Sequence, residues 1–303
     1  MALLVQERSH ANTQDAGPER GRSVLAGLIG AGIQRSLTPA MHEREGDAQG
    51  LRVLYQKIDL TPLGLGVEAL PELLTAAERM GFAGLNITYP AKQAVIPHLD
   101  ELSDDARALG AVNTVVLREG RRIGHNTDWW GFAEGFRRGL PGAQMTRVVQ
   151  LGAGGAGAAV AHALLTLGTA ELILSDVEPS RAQDLAASLC ERFGAGRARA
   201  AGDLQADLAS ATGLTHCTPT GMDKLPGLPL PAEWLQSGLW VAEIVYFPLE
   251  TELLRRARAL GCRTLDGGGM AVFQAVEAFR LFTGLDPDAE RMRRHFTEMT
   301  SAS

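Results

Sequence analysis

Short apolar runs and helically spaced segments alternate along most of this chain. The runs at 24–29, 53–58, 84–88, 108–117, 148–151, 171–176, 213–217 and 240–245 are bounded by glycine, proline or polar residues, which predicts strands. A shorter one is expected at 197–200. Segments 63–80, 158–168, 179–193, 203–211, 250–260, 271–283 and 287–299 set their apolar residues at helical spacing, with Gly81 and Gly261 as stops. Residues 118–122 read as a charged turn, and a helix is expected to follow Asp128. Strand, helix and strand in repetition predict an α/β fold. Residues 1–22 keep neither period and are expected to form a disordered tail.

Between 148 and 176 the pattern carries chemistry. Val148-Val149-Gln150-Leu151 predicts a strand, Gly152-Ala153-Gly154-Gly155-Ala156-Gly157 a tight turn into a helix, and 171–176 a second strand. Gly152, Gly154 and Gly157 fit G-x-G-x-x-G: the first makes the turn, the second admits a pyrophosphate to the backbone, and the third lets helix pack on strand. The helix start, at Gly155 and Ala156, offers unpaired N–H groups to phosphate. Asp176 ends the second strand, where a carboxylate accepts from both hydroxyls of an adenosine ribose. Asp176-Val177-Glu178 also sets two carboxylates where the 2′-phosphate of NADP would lie, so NAD is the expected dinucleotide. The competing role for Asp176 is to cap the helix that starts at Pro179.

Composition narrows the class. The 303 residues suffice for two domains, and 45% hydrophobic with 21% charged residues suits a soluble globular protein. A net charge of −6 without a large Lys/Arg cluster argues against nucleic acid, and no apolar run reaches membrane-spanning length. Cys190, Cys217 and Cys262 are odd in number and form no C-x-x-C, which suggests a reducing cytoplasm and no zinc site. A small-molecule substrate and a monomer or homodimer are expected.

Other polar groups stand at element ends. Ser36 and Thr38 put two hydroxyls before a helix, as donors to an oxyanion or, for Thr38 before Pro39, as an N-cap. Lys92 follows a strand end and Pro90, at the rim of a sheet. Asn126, Thr127 and Asp128 precede Trp129 and Trp130, and Asp128 in isolation reads as a helix cap. Gly124 and residues 267–269 are candidate hinges about which two domains would close. Arg291, Arg293 and Arg294 read as a solvated helix face.

Together, Ser36-Leu-Thr-Pro-Ala-Met-His42, Asn86-Ile-Thr-Tyr-Pro-Ala-Lys92, Gly110-Ala-Val-Asn-Thr114, Asn126-Thr-Asp128, the turn Gly152 to Gly157, Gly221-Met222, Tyr246 and Gly269-Met270 with Gln274 resemble the shikimate dehydrogenase family. The resemblance runs from about Leu28 to Leu285. It implies an α/β substrate domain (23–126 and 267–303), a Rossmann NAD(P) domain (127–266), and C-terminal helices that return to the first domain. It also implies reversible oxidation of a ring hydroxyl, shikimate to 3-dehydroshikimate or quinate to 3-dehydroquinate. By position, Lys92 and Asp128 become the catalytic pair. Ser36 and Thr38 then bind the substrate carboxylate, Thr88, Asn113 and Gln274 its ring hydroxyls, and Tyr246 lies near it, with core aromatic as its plain alternative. Gly152, Gly154, Gly155, Ala156, Gly157, Asp176, Thr218 and Gly269 fall to the cofactor.

The chemistry requires a proton acceptor when hydride leaves a carbinol carbon. Lys92 fits that role with Asp128 as its partner; a neighbouring carboxylate favours the ammonium and burial the amine, so its protonation state is open. Thr38 replaces a second serine usual in the biosynthetic NADP enzymes, as in NAD-dependent quinate/shikimate dehydrogenases. The Asn-Arg-Thr usual after the second Rossmann strand is here Ser175-Asp176-Val177-Glu178, with Arg181 one helical turn on as partial compensation for NADP. His216 stands where asparagine is usual, and packing at a strand end is its expected role. The expected activity is that of an NAD-preferring quinate/shikimate dehydrogenase. The alternatives are a biosynthetic NADP enzyme, a dehydrogenase of an aminated analogue, and a dinucleotide sensor without turnover.

Overall fold

The computed structural model describes residues 23–301, so the tail expected at 1–22 lies outside the described residues. Two six-stranded sheets carry the chain. The first holds β1 (Ser23–Gly30), β2 (Arg52–Asp59), β3 (Phe82–Ile87), β4 (Glu101–Leu102), β5 (Thr114–Arg118) and β6 (Arg121–His125), in the order β2-β1-β3-β5-β6-β4. Strands β1, β2 and β3 are parallel, and β5 runs antiparallel to both β3 and β6. The second holds β7 (Arg147–Leu151), β8 (Glu171–Ser175), β9 (Ala198–Ala200), β10 (Gly213–His216), β11 (Trp240–Glu243) and β12 (Arg263–Leu265), in the order β12-β11-β10-β7-β8-β9 and parallel throughout.

That order winds outward from β7 to β9 and then restarts at β10 on the other side of β7. A doubly wound sheet binds its ligand where the order reverses, because the connections leaving β7 and β10 diverge to opposite faces and open a crevice. The strands beside it are buried on both faces: Val148, Val149, Leu172, Ile173, Leu174 and Val241 are fully enclosed. Continuous aliphatic runs in place of alternation follow from that burial.

The C-terminal helices Gly268–Thr283 and Ala289–Ser301 return to the first sheet. Phe282 and Ala278 pack with Ala26, Leu28 and Tyr55, while Val272, Phe273, Met292 and Phe296 pack with Met41. A Cβ on Gly84 would lie 2.3 Å from the Phe282 ring, so this strand glycine makes room for the returning helix. Helix Asp128–Gly139 crosses Gly268–Thr283 closely, since a Cβ on Gly131 would lie 2.6 Å from the Gln274 amide nitrogen. The crossing joins the two sheets.

The structure departs from the sequence pattern in several places. Residues 63–80 are not one helix: Gly64 takes φ +65°, which breaks the run into Leu60–Leu63, Val67–Ala69 and Leu70–Arg79. In 108–117 a helix extends to Leu109, ends on left-handed Gly110, and the strand starts only at Thr114. The charged turn at 118–122 is the tip of a hairpin whose second strand is β6. Candidate hinge Gly124 lies inside β6, where a Cβ would meet Leu99 at 2.6 Å, and Gly268 and Gly269 are already helical. These glycines serve close packing, not slack turns. Arg291 is no solvated face either, because it forks onto fully buried Glu45 at 2.7 and 2.8 Å.

Candidate active site

The C-terminal edges of both sheets face a shared cleft of about 470 Å³. On its floor Lys92, in the short helix Ala91–Ala94, donates from Nζ to Asp128 Oδ2 at 2.6 Å. The side chains retain 24% and 10% exposure, so the pair is withdrawn from bulk water yet open to a ligand. Asp128 is the first residue of helix Asp128–Gly139, but its carboxylate does not cap that helix. Its Oδ1 instead accepts from Asn113 Nδ2 at 2.9 Å, and the same amide reaches Thr127 Oγ1.

Asn113 is fixed in turn. Its Oδ1 accepts from the Thr127 N–H at 2.7 Å, and its carbonyl from Ile87 N–H. Asn86 donates to Thr114 Oγ1 and accepts from the Tyr55 hydroxyl at 2.6 Å. A fully bonded polar chain thus runs from Tyr55 to Lys92 through buried groups, and such a chain holds one geometry because each member left unpaired would cost a desolvation penalty. Tyr55 escaped sequence reasoning, since its alternation in β2 reads simply as core.

Ser36 and Thr38 sit at the cleft wall with their hydroxyls 3.1 Å apart. Thr38 is the first helical residue, not the N-cap; Leu37 occupies that place without a side-chain bond. The Thr38 hydroxyl is therefore not consumed by the helix end. Ser36 Oγ donates to Thr38 Oγ1 and accepts from Thr38 N–H, which leaves the threonine hydrogen free to point outward. Thr88, Tyr246 and Gln274 also line the cleft. Burial, with a smaller contribution from the Asp128 carboxylate, holds the Tyr246 phenol above its ordinary pKa, so it stays a donor. Its 37% exposure and its place on the wall set aside the core-aromatic alternative.

Beneath Ser36 and Thr38, His42 donates from Nδ1 to the Thr38 carbonyl at 3.0 Å and stacks 4.8 Å from Tyr55. Burial lowers its pKa from 6.5 to about 4, against a smaller raising effect of the Thr38 bond. Between those values the unfolded chain takes a proton that the folded chain refuses, so stability falls as pH drops from 6.5 towards 4 and levels off below. The loss from this one group is about 3 kcal/mol. Denaturant titrations from pH 7 to 4 should show this slope, and His42→Gln should lessen it, the remainder coming in part from His162, which burial also lowers to about 4.

The glycine turn follows β7 in the second sheet. Gly152 has φ +98°, and a Cβ there would lie 2.7 Å from the Cys217 carbonyl; on Gly157 it would lie 2.3 Å from the Gly152 carbonyl. Around Gly154 and Gly155 a Cβ would meet nothing among the described residues within 4 Å, so these two leave open space at the start of helix Gly155–Thr166. Ala156, in the same helix turn, lines the cleft. The cradle fits a pyrophosphate: close approach on one side, free helix N–H groups on the other. Gln150 holds its shape, donating from Nε2 to the Gly152 and Gly157 carbonyls at 2.8 Å each. A lone amide inside a buried aliphatic strand was the signal for it.

Asp176 does not cap the helix at Pro179, where Glu178 is the N-cap. Its Oδ2 accepts from Ala153 N–H at 2.8 Å and its Oδ1 from Glu178 N–H, so the carboxylate stands against the glycine turn. Arg181 is paired with Glu178 at 2.8 Å. Gly269 does not reach the cleft: within its helix it faces Gly135, the Cα of which lies 3.5 Å from a Cβ built there. Thr218 follows β10 beside the turn, its hydroxyl 2.5 Å from His216 Nε2.

Two family models match the chain: the shikimate dehydrogenase substrate binding domain over residues 28–115, and the shikimate 5'-dehydrogenase C-terminal domain over 267–295. A shikimate dehydrogenase (NADP(+)) of Streptomyces avermitilis is 62% identical over 93% of this chain and 97% of its own. A quinate/shikimate dehydrogenase (NAD(+)) of Corynebacterium efficiens is 53% identical over 91% and 99%. The solved quinate dehydrogenase of Corynebacterium glutamicum in complex with NAD superposes with a TM-score of 0.87 at 49% identity, covering 92% of this chain and all of that one. With a doubly wound dinucleotide sheet, a polar cleft and identities this high over nearly the whole length, the chain belongs to the shikimate dehydrogenase family.

Proposed function

We propose that the protein oxidises a ring hydroxyl of shikimate or quinate reversibly, with NAD as preferred cofactor. The observation that carries this is the Lys92–Asp128 pair in a cleft that Ala156 of the glycine turn also lines, with Asp176 bonded to that turn. When bound, the nicotinamide takes up the hydride that leaves the carbinol carbon. Lys92 acts in its amine form: Nζ takes the hydroxyl proton as the carbonyl forms, becoming the ammonium that pairs with Asp128, and returns the proton in reverse. Asp128 fixes that nitrogen through the 2.6 Å bond, and Asn113 prevents the carboxylate from turning away.

Ser36 and Thr38 hold the substrate carboxylate, the Ser36 hydroxyl turning from Thr38 Oγ1 to the ligand so that both donate. Thr88, Asn113, Tyr246 and Gln274 surround the ring, where polar groups at fixed positions orient one hydroxyl towards Lys92. Gly152, Gly154, Gly155, Ala156 and Gly157 cradle the dinucleotide, and Asp176 accepts from its adenosine ribose. Residues 23–126 with 267–303 serve the substrate, and 127–266 the dinucleotide.

A second reading is use of NADP, since the 62% identical relative carries that cofactor in its name. Against it stand the carboxylates of Asp176 and Glu178, and Arg181 is already engaged by Glu178. Initial rates with shikimate or quinate, each with NAD or NADP, separate the readings. Turnover mainly with NAD is expected; a preference for NADP would overturn the cofactor assignment, and no turnover in any combination would overturn the substrate assignment.

A further inference from the structure

The ends of β10 and β11 are tied together by a buried imidazole and carboxylate. His216 and Glu243 are 0% and 1% exposed. Glu243 Oε1 accepts from the Ile244 and Val245 N–H groups at 2.9 and 3.1 Å, and Oε2 accepts from the Thr251 hydroxyl at 3.2 Å. A carboxylate that accepts on both oxygens leaves His216 Nδ1, 2.9 Å from each, as the donor. The tautomer is thereby set, and Nε2 meets Thr218 Oγ1 at 2.5 Å. Thr218 Oγ1 also accepts from Thr220 N–H, at the bend of the loop that follows β10.

Both ends of this chain of bonds reach the crevice. Gly152, at the glycine turn, would clash with the Cys217 carbonyl if it carried a Cβ, so the Thr218 loop lies directly against that turn. Ile244 and Tyr246, just past Glu243, line the cleft. We propose that His216, held by Glu243, is a positioning residue that fixes Thr218 and through it the loop bordering the dinucleotide. This inference rests on the proposed dinucleotide site. It assigns to His216 a role beyond packing at a strand end: the side chain carries the register of one loop to the other.

His216→Asn tests it, because asparagine keeps a donor near Nδ1 for Glu243 and is too short to reach Thr218. NADH affinity is read by fluorescence titration, which needs no substrate, alongside KM for NAD and for shikimate and the unfolding midpoint. H216N should weaken NADH binding about fivefold to tenfold, the effect of one lost hydrogen bond. KM for shikimate should stay within about twofold. Thr218→Val should weaken NADH at least as much, and adding H216N to it should weaken NADH no further, because both remove the same link. Unchanged NADH affinity in H216N, or losses that multiply in the double variant, would overturn the inference. Absence of NADH binding by the wild-type protein would instead overturn the proposed function, and this inference with it.

Discussion

Lys92→Ala is expected to reduce kcat by about 10²- to 10⁴-fold, the range for removing a general acid–base group, while NADH affinity changes little. The geometry makes the separation clean. Among the described residues the Lys92 side chain bonds only to Asp128, whereas the glycine turn is built by Gly152, Gly157, Gln150 and Asp176. Truncation also leaves the Asp128 carboxylate without its Lys92 donor, although Asn113 still donates to it, so the fold should survive. Single-turnover and steady-state rates with shikimate or quinate measure the loss. A kcat within tenfold of wild type would remove Lys92 from the chemistry and favour a binding role for the pair.

Asp176 should govern cofactor choice with the next largest effect. A carboxylate facing a 2′-phosphate at the dielectric of a protein surface opposes it by about 1–3 kcal/mol. Removing the charge should therefore raise the NADP-to-NAD ratio of kcat/KM by about tenfold to a hundredfold. Two substitutions divide the causes, because Oδ2 also takes the Ala153 N–H. Asp176→Asn keeps an oxygen for that N–H while removing the charge and the oxygen that accepts from Glu178 N–H; Asp176→Ala frees the turn as well. Both should favour NADP relative to NAD, and alanine should lose more NAD affinity. A ratio that stays within twofold in both variants would refute the charge argument.

The sequence made the two halves legible through local rules. Glycines at 152, 154 and 157 between two aliphatic strands specify the tight turn typical of a dinucleotide-binding βαβ unit, and the long runs of helical spacing give their elements without tertiary help. Where a single glycine takes a left-handed conformation inside an otherwise helical pattern, as Gly64 does, periodicity alone overruns the break. The strands β4 and β6 were missed for a similar reason: Glu101–Leu102 and Arg121–His125 are short and half-exposed, and pairing with neighbours makes them strands.

Roles that depend on what a side chain meets were decided by the fold. In isolation Thr38, Asp128 and Asp176 all read as helix caps, because a cap requires only the adjacent backbone. In the structure none of the three side chains caps its helix: Thr38 meets Ser36 at the cleft wall, Asp128 meets Lys92 across 36 residues, and Asp176 takes Ala153 N–H in the glycine turn besides Glu178 N–H. His216 and Glu243, 27 positions apart, meet only because β10 and β11 are parallel neighbours in register. The sequence by itself thus determined the α/β alternation and the glycine turn, which are set by spacing and by the conformations open to each residue. The tertiary structure alone decided the polar pairings, because burial makes an unpaired donor or charge costly and so selects among partners that the chain order leaves far apart.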